Sequence, residues 1–306
     1  MKFLGNRFGQ GTQRYREVGV FISIAVVLGF LFVWHSSFPG PVPVQHASGG
    51  QPGKAGGSFS ATRSDPKGVQ SKATKTNPPA PAAPALTPFP KEGIPVLMYH
   101  SISTIPGNTL GVPVRQFSAE MTWLHRRGYH SLSPEELYRA LTAGEKVPEK
   151  PILLTFDDGY ADNYYAAWPI LRANGFRATF FVITNSVGPG MMTWNRLAEL
   201  VRAGNSIGSH TVHHLDLASL PAKEQEDELA LSKQTIKSHL GLDVQAFCFP
   251  SGRYNTTTLQ LMSKLGYRIG FTTHSGRVHL GDNPLILKRL RIYGGMPLSS
   301  FERLLP

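Results

Sequence analysis

Two adjacent aspartates close an apolar run in PILLTFDDGY, Pro151 to Tyr160. Asp and Gly favour turns in any protein, so the pair alone could mark no more than the end of a strand. A second cluster shifts that reading. In SHTVHH, His210 and His214 have three residues between them, a spacing at which two imidazoles can share one ion. Two histidines and a carboxylate with one position left open form the ligand pattern of catalytic zinc or a similar divalent metal. His213 could replace either histidine, but in an extended segment it points away from His214. With Asp158 beside the histidines, Asp157 stays free as a general base near a water that the metal acidifies. That chemistry is hydrolysis of an amide or an ester. No GxSxG occurs, and a glycosidase needs two carboxylates set well apart across a sugar ring.

The elements that must position these residues alternate. IPVLMY, PILLTF, RATFFVI, SIGSH, AFCF, RIGFTT and LILKRLRI read as short buried strands. Between them lie helical patterns. RQFSAEMTWLHRRG carries Phe117, Met121 and Leu124 on one face, and SPEELYRAL has Ser133 as N-cap and Pro134 at the first helical position. ADNYYAAWPILRANG, TWNRLAELVRAG, PAKEQEDELALSKQTIKSHL and TTTLQLMSKLG complete the set. Repeated strand–helix units predict parallel strands with helices outside, as a doubly wound sheet or a barrel. In both, sites collect at the C-terminal ends of the strands. DDGY, SHTVHH and PSGRYN all fall there.

TFDDGY and SHTVHH resemble the first and second motifs of the polysaccharide deacetylase family of carbohydrate esterases, the NodB-homology domain, in the expected order. The resemblance runs from about Ile94 to the C-terminus. It implies a distorted (β/α) barrel that hydrolyses the N-acetyl group of a sugar in a polymer and releases acetate. Carried over by position, Asp157 is the base, and Asp158, His210 and His214 hold a divalent ion, zinc being the one expected. Leu215 stands where the second motif usually has Pro. The third motif usually reads Phe-Arg-x-Pro-Tyr-Gly-x-x-Asn. FCFPSGRYN keeps Phe247, Pro250, Gly252 and Asn255 but sets Cys248 in the arginine's place and Ser251 in the tyrosine's. The guanidinium that orients the base must then come from elsewhere. Arg253, Arg289 and Arg291 are the candidates, and Arg289 is preferred. The late Leu-x-His motif is absent after the third motif. PVLMYHSIS resembles the opening of a subgroup with rearranged motifs, which includes biofilm poly-N-acetylglucosamine deacetylases, and there the early histidine is the general acid. His100 takes that place here. Tyr160 and Trp194 are candidates for stacking on a sugar, and amides of the Pro250–Ser251–Gly252 turn for holding an oxyanion.

Upstream the composition changes. Residues 18–34, VGVFISIAVVLGFLFVW, are apolar and uncharged; as a helix they would reach about 26 Å, enough for a hydrocarbon core. Lys2, Arg7, Arg14 and Arg16 all precede them, which predicts a cytoplasmic tail at 1–17, an uncleaved single-pass anchor at 18–35 and the remainder outside the cytoplasm. A cleaved signal peptide is the rival, but no good small-x-small cleavage site follows. Residues 36–92, rich in Pro, Gly, Ser, Ala and Lys, predict a disordered tether of about 40 Å root-mean-square span. The catalytic domain is expected over 93–306. The net charge of +11 is concentrated in the tail and tether; no basic face with interleaved aromatics suggests nucleic acid. The expected partners are the membrane and a polysaccharide, peptidoglycan or poly-N-acetylglucosamine. A catalytically silent carbohydrate-binding protein of the same fold is the alternative. The single Cys248, between Phe247 and Phe249, excludes an intrachain disulfide and reads as a buried thiol.

Overall fold

The computed structural model describes residues 84–306. The basic tail, the apolar span at 18–35 and the tether as far as residue 83 lie outside the described residues.

Seven parallel strands close a barrel. In ring order they are β2 (Val96–Tyr99), β5 (Pro151–Phe156), β6 (Thr179–Val182), β7 (Ser206–Ser209), β8 (Ala246–Cys248), β9 (Ile269–Ser275) and β10 (Leu287–Arg291), which returns to β2. The open choice between sheet and barrel resolves as the distorted barrel that the resemblance implied. The distortion is visible at β5. Its lower edge, Pro151 and Ile152, pairs with the two-residue β3 (His130–Ser131), while its upper residues Thr155 and Phe156 pair with β6. Two neighbours thus share one edge at different heights.

The helices are α1 (Val114–Arg126), α2 (Pro134–Ala143), α3 (Trp168–Ala173), α4 (Trp194–Arg202), α5 (Ala222–Leu240), α6 (Thr256–Lys264) and α7 (Leu298–Arg303). Their ends follow local chemistry. Ser133 accepts from the Glu136 amide and Glu136 reaches back to the Ser133 amide, a capping box that starts α2. Gly144 ends it in a left-handed turn. The segment expected as one helix after DDGY instead begins with a π turn, Asn163–Ala167, before α3. α7 and the short strands lacked the periodicity that would predict them.

Pleating divides the strand residues into two sets. Leu97, Tyr99, Ile152, Leu154, Phe156, Phe180, Val182, Phe247 and Leu290 pack in the larger cluster, under the helices. Val96, Leu153, Phe181, Ala246, Cys248, Phe271 and Leu287 pack in a second cluster that fills the barrel. Gly208 of β7 makes room there, because a Cβ on it would lie 2.4 Å from the Phe181 ring. Leu132, Leu137, Val147 and Phe89 join the inner cluster.

Phe89 corrects the expected domain boundary. Residues 84–92 belong to the folded unit: β1 (Leu86–Thr87) pairs antiparallel with β4 (Val147–Pro148), and Phe89 packs on the inner core. Leu86 and Phe89 sit in a Pro-rich context that matches the tether, so composition alone assigned them to it.

Candidate active site

The site extends the barrel's inner pleat beyond its strands. Leu153 and Thr155 point inward, and Asp157, two residues on, keeps that direction while its amide donates to Tyr99 O at 3.0 Å. The same alternation carries Val96 and Met98 to His100, Gly208 to His210, and Leu287 to Arg289.

Asp157 is buried and held on both oxygens by Arg289, Nη1 to Oδ1 at 2.8 Å and Nη2 to Oδ2 at 2.7 Å. The guanidinium is fully buried. Its other donors reach Thr272 O (2.9 Å), Thr155 Oγ1 (3.0 Å) and Cys248 Sγ (3.1 Å), so all five N–H groups of the fork have a partner. A buried charge is tolerable only under such pairing. Burial pushes the Asp157 carboxyl up, but the charge and hydrogen bonds of Arg289 outweigh it and hold the group well below the usual carboxylate range. Burial likewise lowers the Arg289 pKa, and Asp157 more than restores it.

Arg289 therefore stands against Asp157 as a guanidinium supplied from β10, whereas Arg253 pairs with Asp216 at 2.7 Å and Arg291 is exposed. Cys248 sits in the same pocket, its thiol donating towards Asp157 Oδ2 at 3.5 Å. Burial pushes that thiol up. Sequence reasoning read Cys248 as a buried thiol standing in the arginine's place of the third motif, without assigning it this contact.

His100 Nε2 lies 3.9 Å from Asp157 Oδ2. Burial lowers its pKa despite the two aspartates. Its loop is tied down by residues that sequence reasoning missed. Asp162 accepts from the Ser101 hydroxyl (2.6 Å) and the Ile102 amide (2.9 Å), and Asn163 Nδ2 donates to His100 O at 2.7 Å. Asn163 opens the π turn, a feature often found at functional sites. The acidic–amide pair two residues after Tyr160 was the only available signal.

Asp158 leaves the strand with φ 71°, and Thr211 and His214 take φ 67° and 59°. Three non-glycine residues in this left-handed region are a mark of functional geometry. The turn also corrects the expectation that His210–His214 is extended. Asp158 Oδ1 lies 3.4 Å from His210 Nε2 and 3.6 Å from His214 Nε2. These separations exceed ordinary hydrogen bonds and match the about 3.4 Å between ligands held about 2.1 Å from a tetrahedral ion. His210 Nδ1 donates to Cys248 O at 2.7 Å; because a carbonyl only accepts, Nδ1 carries a proton and Nε2 is the nitrogen that faces Asp158. Burial pushes the Asp158 carboxyl up, but His210 beside it outweighs that and holds the group below the usual range. The three residues fit a divalent cation.

Asp157, His210 and Cys248 also lie within ligand reach of one another. That set fits a cation less well, because Arg289 occupies both Asp157 oxygens and the thiol is held protonated.

Tyr160 is brought to the site: burial and then the Asp158 carboxylate raise its hydroxyl to about 12. Trp194 is engaged elsewhere, its ring stacked on His239 of α5 at 4.3 Å and packed against the helix-side core. Pro250–Gly252 form a 3-10 turn after β8. The Gly252 and Arg253 amides are bonded within it, to Phe249 O (2.8 Å) and Pro250 O (3.0 Å). They are therefore committed, and the expected set of oxyanion donors narrows accordingly. Gly252 has φ 71°, and a Cβ there would meet Thr273 Oγ1 at 2.1 Å, which explains its glycine.

Comparison with known proteins returns the same chemistry. The family model described as polysaccharide deacetylase matches residues 144–270. The putative polysaccharide deacetylase YxkH of Bacillus subtilis (strain 168) is 42% identical over 209 residues, covering 68% of this chain and 74% of that protein. The Streptococcus pyogenes deacetylase PplD, solved in complex with acetate, superposes with a TM-score of 0.67 at 33% identity, over 73% of this chain and 100% of that one. The poly-beta-1,6-N-acetyl-D-glucosamine N-deacetylase of Escherichia coli (strain K12) is 24% identical over 64% of this chain but 38% of its own length.

Proposed function

Since the chain belongs to the polysaccharide deacetylase family and is an enzyme of that kind, we propose that it hydrolyses N-acetyl groups on N-acetylglucosamine-type residues of a cell-wall or extracellular polysaccharide. One observation carries the reading. A carboxylate locked by a buried guanidinium, Asp157 on Arg289, directly precedes a carboxylate set for a cation with two imidazoles, Asp158 with His210 and His214. A divalent ion, zinc by preference, would acidify water and polarise the amide carbonyl there.

The chain's own residues supply the proton traffic. Arg289 keeps Asp157 ionised and aimed, so that Asp157 takes the proton of the attacking water. His100, with Nε2 3.9 Å from Asp157 Oδ2, delivers a proton from its protonated ring to the departing amine; its lowered pKa makes that ring a better donor. Water adds to the carbonyl carbon, the C–N bond breaks, and the products are acetate and a sugar amine. The S. pyogenes relative, solved with acetate, and the E. coli relative, named for poly-beta-1,6-N-acetyl-D-glucosamine, support product and substrate class. The basic flank and apolar run at 18–35 favour a single-pass anchor with the domain outside the cytoplasm, where the polymer would be of the cell's own making.

Acetate release from N-acetylglucosamine oligomers, by protein stripped of metal and then restored with zinc, tests the proposal. Zinc-restored release is expected. Equal release in both states would remove the metal from the reaction, and release from acetylated peptides but not oligomers would remove the substrate class.

A further inference from the structure

The loop that carries the cation ligands is held by one buried carboxylate outside it. Glu228 lies in the second turn of α5 and is 6% exposed. Its Oε2 accepts from the amides of Val212 and His213, both at 2.9 Å, and its Oε1 meets His213 Nδ1 at 2.6 Å. The loop between His210 and His214 thus receives three contacts from a single side chain. His213 is the histidine that sequence spacing offered as an alternative ligand; Glu228 instead turns it outward, its side chain 53% exposed.

The loop needs such a hold. Thr211 and His214 both sit at positive φ, a strained conformation for a non-glycine residue that persists only where its surroundings impose it. Within the loop, the His214 amide donates to Thr211 Oγ1 at 2.9 Å and the Thr211 amide to Ser209 Oγ at 3.2 Å. Those bonds fix the two ends, and the middle, Val212 and His213, is fixed by Glu228.

We propose that Glu228 is a positioning residue for the cation site: it sets the separation of His210 and His214 and selects His214 over His213 as the second imidazole. The inference rests on the reading of Asp158, His210 and His214 as a metal site. Residues that orient ligands without touching the metal typically change its affinity by 10–100-fold.

The test uses the full chain, stripped of metal and titrated with Co²⁺. The affinity and the visible spectrum of the bound ion are recorded for wild type, Glu228→Gln and Glu228→Ala. Ile236→Ala serves as control, a buried position two turns further along α5. Glu228→Ala is expected to weaken Co²⁺ binding about 10–100-fold and to alter the spectrum, as His213 is released to compete. Glu228→Gln keeps one carbonyl oxygen for the two amides and is expected to recover much of the affinity. Ile236→Ala should lower the melting temperature of the metal-free protein with affinity and spectrum unchanged.

Wild-type affinity and spectrum in Glu228→Ala would overturn the proposal. So would an equal loss of affinity in Ile236→Ala at matched destabilisation, since that would make the effect one of general stability. If wild type itself binds no Co²⁺, the metal reading fails, a result separable from failure of Glu228.

Discussion

Asp157 and Asp158 are neighbours in sequence but belong to different machinery. Asp157 continues the inward pleat of β5 and meets Arg289; Asp158 breaks away at positive φ and faces two imidazoles. Arg289 makes that division possible, because a guanidinium cannot lose its proton and its planar fork fits a carboxylate on both oxygens. Replacing it with Lys keeps the charge but not the geometry. Arg289→Lys is expected to lower kcat for acetate release about 100-fold or more with metal content unchanged. Asp157→Asn should abolish release, again with metal retained. Loss of metal in either variant, by elemental analysis of the purified protein, would show that the two aspartates are not functionally separate. That the aspartates and histidines would come together was legible because motif and spacing carry it. Arg289 was nameable only because the usual arginine was missing from FCFPSGRYN and one of three alternatives had to replace it. Glu228, Asp162 and Asn163 were not legible, since each acts through backbone groups that no spacing rule describes.

At the scale of elements, the strands were readable for a physical reason. A barrel strand buried on both faces is a short unbroken apolar run, and PILLTF was expected over the residues that β5 occupies. The two-residue strands were not readable, because pairing that short leaves no pattern. The π turn escaped for a similar reason: NYYAA has nothing against an α-helix, and the extra residue per turn follows from Asn163 being drawn inward to His100 O. The β6–β7 contact offers a direct check. Gly208→Ala would drive a methyl into the Phe181 ring, and overpacking of this kind costs about 1–3 kcal/mol. Chemical denaturation should register that loss, and Phe181→Leu in the same chain should return part of it. An undiminished midpoint for the single variant would mean that the barrel interior is looser than the contact implies.

Across the whole molecule, a buried acid besides Glu228 lies outside the proposed catalytic set. Glu120 of α1 is 1% exposed, accepting from Tyr99 Oη and Gln116 Nε2, both at 2.8 Å. Among the described residues no cation pairs with it. Burial raises its pKa from 4.5 to about 7, the two hydrogen bonds only partly opposing. The folded chain therefore binds a proton that the unfolded chain has released between those values. Its stabilising contribution is fully present below about pH 4.5 and is lost as pH rises through about 7, by up to about 3 kcal/mol. Glu120→Gln, a neutral residue of the same shape, should remove that dependence. Melting temperatures from pH 5 to 8 are expected to fall less steeply in the variant than in wild type, with the variant the more stable of the two at pH 8. Parallel curves would mean that the carboxyl titrates alike in both states, and that water reaches it through the wall formed by Tyr99 and Phe117. The opposite slope, with wild type gaining on the variant as pH rises, would place a compensating positive charge beside Glu120 and reverse the account of how this core tolerates an acid.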